Sequence, residues 1–248
     1  MKVFFSFHNN LWRVMMNILI TGSSGGIGFE TGMALIRKGN FVYFTVHRNS
    51  QIETTIKKLR DFNVLENYKV FKLDITVEED RKKLYDLDID VLINNAAIGI
   101  GGSVLDLDVS NIKDNFNVNV FSTIEMIKLY ATSLQNRNKK GRIIIMSSLA
   151  GIISLPFMAS YCATKSALIS IATSLKMELS LKKTNMEVCL IEPGIYVTGF
   201  NEVMIDNKVE SLLFKKIYPM VNYYQKKLFK VFGKKRLKSI TSMVFLIQ

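Results

Sequence analysis

Ile18-Leu19-Ile20-Thr21 is a short apolar run that opens straight into a glycine-rich turn, Gly22-Ser23-Ser24-Gly25-Gly26-Ile27-Gly28, and the residues beyond carry a helical period. A strand apolar at consecutive rather than alternate positions is buried on both faces, as in a parallel sheet covered by helices. The alternation continues down the chain. Phe41–Thr45, Lys69–Leu73, Val91–Asn94, Arg142–Met146 and Met186–Ile191 read as further strands. Ile27–Lys38, Ile52–Phe62, Glu78–Tyr85, Asn111–Leu134 and Ala159–Leu181 lie between them, with apolar residues at three- and four-residue spacing. Gly39 after Arg37-Lys38 is a helix stop. Repeated strand–helix–strand units with short joins specify an α/β fold, a single-domain, doubly wound parallel sheet with right-handed crossovers.

Composition agrees with that fold. The 248 residues suit one such domain, and 48% hydrophobic residues supply a core large enough to exclude disorder as the main state. Cys162 and Cys189, the only cysteines, cannot staple a fold of this size and fit a reducing, cytoplasmic compartment. No stretch approaches the ~18 uninterrupted apolar residues of a membrane-spanning helix. His8 and His47 leave little for a histidine-based metal site. The formal net charge of +12 is concentrated late in the chain, where residues 206–248 hold 10 Lys+Arg against 2 Asp+Glu. This basic end lacks a groove-reading motif for nucleic acid and reads first as a solvated helix face. Residues 1–15 read as an extension ahead of a domain beginning at Met16, itself a candidate start.

The turn spaces its glycines as G-x-x-x-G-x-G, at Gly22, Gly26 and Gly28. Placed between a first strand and a helix, it lets backbone N–H groups approach a pyrophosphate at the helix N-terminus, where the dipole favours anions. About 20 residues further on, an acid would bind the ribose 2′-hydroxyl of NAD. Here the second strand ends Phe44-Thr45-Val46-His47-Arg48-Asn49, with no acid between Asn40 and Gln51. Arg48 offers instead a guanidinium fork suited to a 2′-phosphate, so NADP(H) is favoured over NAD(H).

Tyr161 and Lys165 are four apart on one helix face, and Ser148 lies just past the fifth strand, at the carboxyl edge where such sheets bind ligands. A phenol near pKa ~10 is a poor acid–base group at neutral pH. A lysine ammonium at ~4 Å contributes ~4 kcal/mol toward the phenolate at an effective dielectric of ~20, a fall of about three pKa units.

Taken together, Thr21–Gly28, Leu73-Asp74-Ile75, Asn94-Asn95-Ala96-Ala97, Asn117-Val118-Asn119, Ser147-Ser148, Tyr161 with Lys165, and Pro193-Gly194 followed by Thr198 make the chain resemble the short-chain dehydrogenase/reductase family, in its shorter single-domain branch with a Rossmann fold. The resemblance spans about Met16 to Phe200. It implies that Tyr161 exchanges a proton with a carbonyl or alcohol oxygen and that Ser148 holds that oxygen. Lys165 is implied to bind the nicotinamide ribose and lower the Tyr161 pKa, and Asn119 to anchor a water leading to solvent. It implies further that Gly22, Ser24, Gly26, Ile27 and Gly28, Asp74 and Ile75, Asn95 and Ala96, Tyr161 and Lys165, and Pro193, Gly194 and Thr198 border the cofactor. Two departures are Ala97, where the family usually has glycine, and Gly25, where NADP-binding relatives carry a basic residue.

By the same resemblance, Leu149–Ala159 and Ile195–Tyr224 face the substrate, and their apolar content favours an apolar or elongated carbonyl compound. Residues 195–238 are expected to form a lid with a basic helical region, whose Tyr223–Lys238 stretch is a candidate for peripheral membrane or acyl-carrier contact. The function expected is hydride transfer between NADP(H) and a carbonyl or secondary alcohol, with a 3-oxoacyl-thioester reductase as a specific form. A cofactor-sensing protein without turnover is the alternative from another class. Relatives commonly form dimers or tetramers through the two long helices, and a homo-oligomer is expected.

Overall fold

The computed structural model of the chain describes residues 15–194. Residues 1–14, Thr198 and the expected lid at 195–238 lie outside the described residues. The strands are β1 (Asn17–Ile20), β2 (Phe41–Val46), β3 (Tyr68–Lys72), β4 (Val91–Asn94), β5 (Gly141–Met146) and β6 (Met186–Ile191). The helices are α1 (Gly26–Ile36), α2 (Ser50–Asp61), α3 (Glu78–Lys82), α4 (Val109–Phe116), α5 (Thr123–Asn136) and α6 (Ala159–Leu181). All six strands pair in parallel in the order β3-β2-β1-β4-β5-β6. The order reverses between β1 and β4, which opens a crevice beyond their carboxyl ends.

Both faces of the sheet are covered, which is why the strands lack polar alternation. Ile18 and Ile20 pack with Phe44, Ile93 and Ile144 under Phe29, Met33, Leu35 and Leu59 of α1 and α2. Leu19, Leu92, Ile143 and Ile145 face the other way, onto Met126, Ile127 and Tyr130 of α5 and Leu168 and Ala172 of α6. The two layers fix the strand register, since a slip of one residue would exchange the two faces.

Two helices differ from the sequence expectation. The one expected over Glu78–Tyr85 is α3 followed by a 3₁₀ turn at Lys83–Asp86. Its anchor is Asp80, a buried carboxylate that accepts from the Asp74 backbone at 2.9 Å and pairs with Lys72 and Lys83 at 2.7 Å each. These bonds pin α3 to the end of β3 and hold the Asp80 carboxyl down at about 2, against the opposing cost of its burial. The second is the long helix expected over Asn111–Leu134, which is interrupted by a π-helical stretch at Asn117–Ser122. Such bulges re-aim side chains within an otherwise regular helix and recur at functional sites.

Candidate active site

The glycine turn is bound to the ends of three strands. Ser23 is fully buried; its N–H donates to the Thr45 carbonyl at 2.8 Å and its Oγ donates to the Ile20 carbonyl at 2.9 Å. Thr21 Oγ1 accepts from the backbone N–H groups of Asn95 (2.9 Å) and Ala96 (3.0 Å). Asn95 returns the contact, donating its Nδ2 to the carbonyls of Thr21 and Gly22, both at 2.9 Å. The side chain of Asn95 therefore holds the turn against β4. Gly22 has φ +62°, and a Cβ there would stand 2.8 Å from the Ala96 Cα. A Cβ on Gly28 would stand 2.5 Å from Asn95 Nδ2. Only glycine fits either place, and the backbone of the turn is left open to a ligand.

Helix α1 begins at Gly26 with no side chain capping it and no acid in its first turn. Its first N–H groups have no intrahelical partner, and the dipole adds positive potential there. Such a cradle fits a dinucleotide pyrophosphate, with Gly22, Ser24, Gly26, Ile27 and Gly28 around it. Arg48 is exposed at the end of β2, and its backbone N–H donates to Gln51 Oε1 at 3.0 Å. Asp74, half-buried past β3, accepts from Thr76 N–H (2.9 Å) and Thr76 Oγ (2.7 Å) in a local turn that leads to buried Ile75. Pro193 and Gly194 follow β6, and the Pro193 carbonyl accepts from Leu149 N–H at 2.9 Å, joining the segments after β5 and β6.

Ser148, Tyr161 and Lys165 come together at the carboxyl edge of β5. Ser148 starts a 3₁₀ turn at Leu149–Gly151, its Oγ accepting from Ala150 N–H at 3.1 Å. Tyr161 is buried among Ala150, Met158 and Cys162, with its hydroxyl hydrogen-bonded to Ser148. Lys165 is 3% exposed; its Nζ donates to the Met146 carbonyl at 2.9 Å and lies 5.6 Å from the Tyr161 ring centroid. Ser147 Oγ donates to the Lys165 carbonyl at 2.8 Å, which locks α6 against β5.

The electrostatics differ from the sequence expectation. Burial pushes the Tyr161 phenol up to about 12, with the Ser148 hydrogen bond pulling the other way. Burial also lowers the Lys165 ammonium to about 8. The lysine donates to a backbone carbonyl and lies over the ring rather than against the hydroxyl. The chain's own groups thus keep a neutral phenol beside a poorly solvated cation, rather than a phenol already drawn toward neutral pH.

One arrangement was not read from the sequence. Asn119 Oδ1 accepts from Ile98 N–H at 2.8 Å, while its Nδ2 donates to the Ile98 carbonyl (2.8 Å) and to Thr164 Oγ1 (3.1 Å). Asn115 repeats the pattern one turn earlier: it grips Ile100 N–H (3.0 Å) and carbonyl (2.9 Å) and donates to Ser160 Oγ at 2.8 Å. Each amide replaces a strand partner for the segment after β4. Each also holds the residue just before Tyr161 or Lys165. The Asn119 side chain thereby ties the segment after β4 to α6. The signal was available as two matched i, i+4 pairs, Asn115/Asn119 and Ser160/Thr164, on helices that face each other. Asn115→Leu strands two backbone groups and a buried hydroxyl, and should lower stability by about 3 kcal/mol in a denaturant titration. A loss under about 1 kcal/mol would show that the clamp is dispensable.

Comparison with known proteins agrees with this architecture. A family model described as short chain dehydrogenase matches residues 16–208. A probable short-chain type dehydrogenase/reductase of Helicobacter pylori, VdlC, is 34% identical over 198 residues, covering 76% of this chain and 68% of the relative. The NADPH-dependent 1-acyldihydroxyacetone phosphate reductase of Saccharomyces cerevisiae is 34% identical over 169 residues, 65% of this chain and 55% of that protein. The chain thus spans about two thirds of the first relative's length and about half of the second's. A crystal structure of a short-chain dehydrogenase/reductase from Burkholderia phymatum in complex with NAD shares the fold, with a TM-score of 0.71 at 21% identity over 79% of this chain and 73% of that one. With the glycine cradle, the six-stranded parallel sheet and the Ser148–Tyr161–Lys165 cluster already in place, the match over residues 16–208 shows that this chain belongs to the short-chain dehydrogenase/reductase family of nicotinamide-dependent oxidoreductases.

Proposed function

We propose that the chain is an NADP(H)-dependent oxidoreductase that interconverts a carbonyl and a secondary alcohol on an apolar, elongated substrate, with Tyr161 exchanging the proton. The observation that carries this reading is buried Tyr161 set between half-buried Ser148 and the buried Lys165 ammonium, at the carboxyl end of the sheet. When bound, the dinucleotide supplies the hydride donor or acceptor and, in its oxidised form, a positive charge. Ser148 is placed to hold the substrate oxygen against Tyr161, and the Tyr161 hydroxyl to give that oxygen its proton. Lys165 is buried and within reach of the phenol's surroundings, so each added cation or hydrogen bond there weighs more than it would in water. Asn119, bonded to Thr164, holds the helix turn that carries Lys165.

Preference for NADP(H) is supported by the absence of any acid between Asn40 and Gln51 and by exposed Arg48 at the end of β2. An apolar substrate is supported by half-exposed Ile152 and by Leu155 in the segment beside Tyr161. The yeast relative named for an acyl substrate and NADPH points the same way. Among the described residues no helix is long and apolar enough to cross a membrane, and unpaired Cys162 and Cys189 suit a reducing, cytoplasmic setting. A homo-oligomer would cover Val109 and Phe121, which are exposed along the α4–α5 helix. The test is a screen of cofactor oxidation against medium- and long-chain ketones, aldehydes and 3-oxoacyl thioesters. NADPH should be used at least about tenfold more efficiently than NADH, a difference of about 1.4 kcal/mol. Equal use of both cofactors, or turnover confined to sugars, would contradict the reading.

A further inference from the structure

Helix α2 lays one face over the glycine turn. Gln51, Thr55 and Lys58 follow at i, i+4 and i+7, so they share that face. Thr55 is buried there. Gln51 bridges two groups: its Oε1 accepts from the Arg48 backbone at 3.0 Å, and its Nε2 reaches Ser24 Oγ at 3.5 Å. Two turns of helix later, Lys58 Nζ donates to the Ser24 carbonyl at 3.1 Å. Arg48 and Lys58 are therefore both tied to Ser24, one through Gln51 and one directly. Gly25 sits beside them in fully extended backbone, φ −172°. The nearest atom to a Cβ built there is Lys58 Nζ, at 4.0 Å. The ammonium of α2 occupies the approach that a basic side chain at position 25 would use.

We propose that Lys58 is the second cation of the adenosine 2′-phosphate site, acting with Arg48 and taking the place of a basic residue in the turn. The inference rests on the NADP(H) reading above and adds to it a residue from a different element. A bond from an exposed lysine to an exposed carbonyl contributes little by itself. The same ammonium beside a phosphate dianion makes a charge-assisted contact whose strength depends on ionic strength.

The test is the dissociation constant of NADPH and of NADH, read from nicotinamide fluorescence on the full chain without substrate. Lys58→Met should weaken NADPH about five- to tenfold and leave NADH within about twofold. The salt dependence of NADPH binding should flatten in the same variant. Because position 25 is extended and open, Gly25→Lys combined with Lys58→Met should restore most of the NADPH affinity. Equal weakening of both cofactors would assign Lys58 to holding the turn and overturn the proposal. So would an unchanged NADPH constant with wild-type preference for NADPH intact, and that outcome leaves the NADP(H) reading standing. Wild-type chain that binds NADH as well as NADPH would overturn both.

Discussion

Tyr161→Phe is expected to lower kcat by about a thousandfold or more while leaving NADPH affinity within about twofold. General acid–base catalysis by a placed group is worth about 10²–10⁴, and no other described side chain in this site offers a proton in the same place. Ser148 is a hydroxyl already bonded to Ala150 and Tyr161. The ring itself is not lost in the variant. It continues to pack on Ala150, Met158 and Cys162, so the fold should hold. Steady-state turnover and fluorescence titration on one preparation separate the two effects. Retention of more than about a tenth of wild-type turnover would remove Tyr161 from the mechanism. Loss of NADPH binding together with turnover would make its role structural.

Lys165→Met should move activity and stability in opposite directions. In the folded chain burial lowers this ammonium from 10.5 to about 8. The folded-state value lies below the unfolded one, so between those pH values the unfolded chain binds more protons and stability rises with pH. Below pH ~8 the full penalty is present, about 3 kcal/mol by the linkage relation. Methionine removes that penalty but leaves the Met146 carbonyl without its donor, a loss of about 1–2 kcal/mol. At pH 7 the variant should be the more stable by about 1–2 kcal/mol, which raises Tm by a few degrees for a domain of this size. As pH rises toward 10.5 the advantage should vanish and then reverse. Turnover should fall at least about a hundredfold at every pH. Thermal melts from pH 6.5 to 10.5 test the account; a variant less stable than wild type at pH 7 would show that the buried ammonium is a net contributor to the fold.

The strands were legible because a parallel sheet buried on both faces leaves consecutive apolar residues, as in Ile18-Leu19-Ile20 and Ile143-Ile144-Ile145. The glycine turn was legible for a related reason: the close approach of Gly22, at positive φ, to the Ala96 backbone and of Gly28 to the Asn95 amide both favour a residue without a side chain. Positions could be read wherever a local rule dictated the residue. What stayed hidden depends on partners distant in sequence. The amide of Asn115 meets Ser160 across 45 residues. Thr21 Oγ1 receives the backbone of Asn95 and Ala96 across 74 and 75 residues. Lys58 reaches Ser24 across 34. The break in the long helix at Asn117–Ser122 was hidden likewise, since its sequence keeps an apolar period through the bulge. The Tyr161–Lys165 spacing was right in geometry but incomplete in energy. Spacing places two groups on one face, whereas burial sets their pKa values, and burial here works against both charges.

In the proposed reaction Tyr161, a buried and neutral phenol, becomes a working acid–base group when positive charge is brought against it. The most direct measurement is an ultraviolet titration of the tyrosinate band, wild type minus Tyr161→Phe, with and without NADP⁺. Without the dinucleotide, no Tyr161 step should appear below about pH 10, in keeping with a phenol held near 12. With NADP⁺ bound, a step of one tyrosinate should appear at least about two units lower. A difference titration that NADP⁺ leaves unchanged would contradict the account.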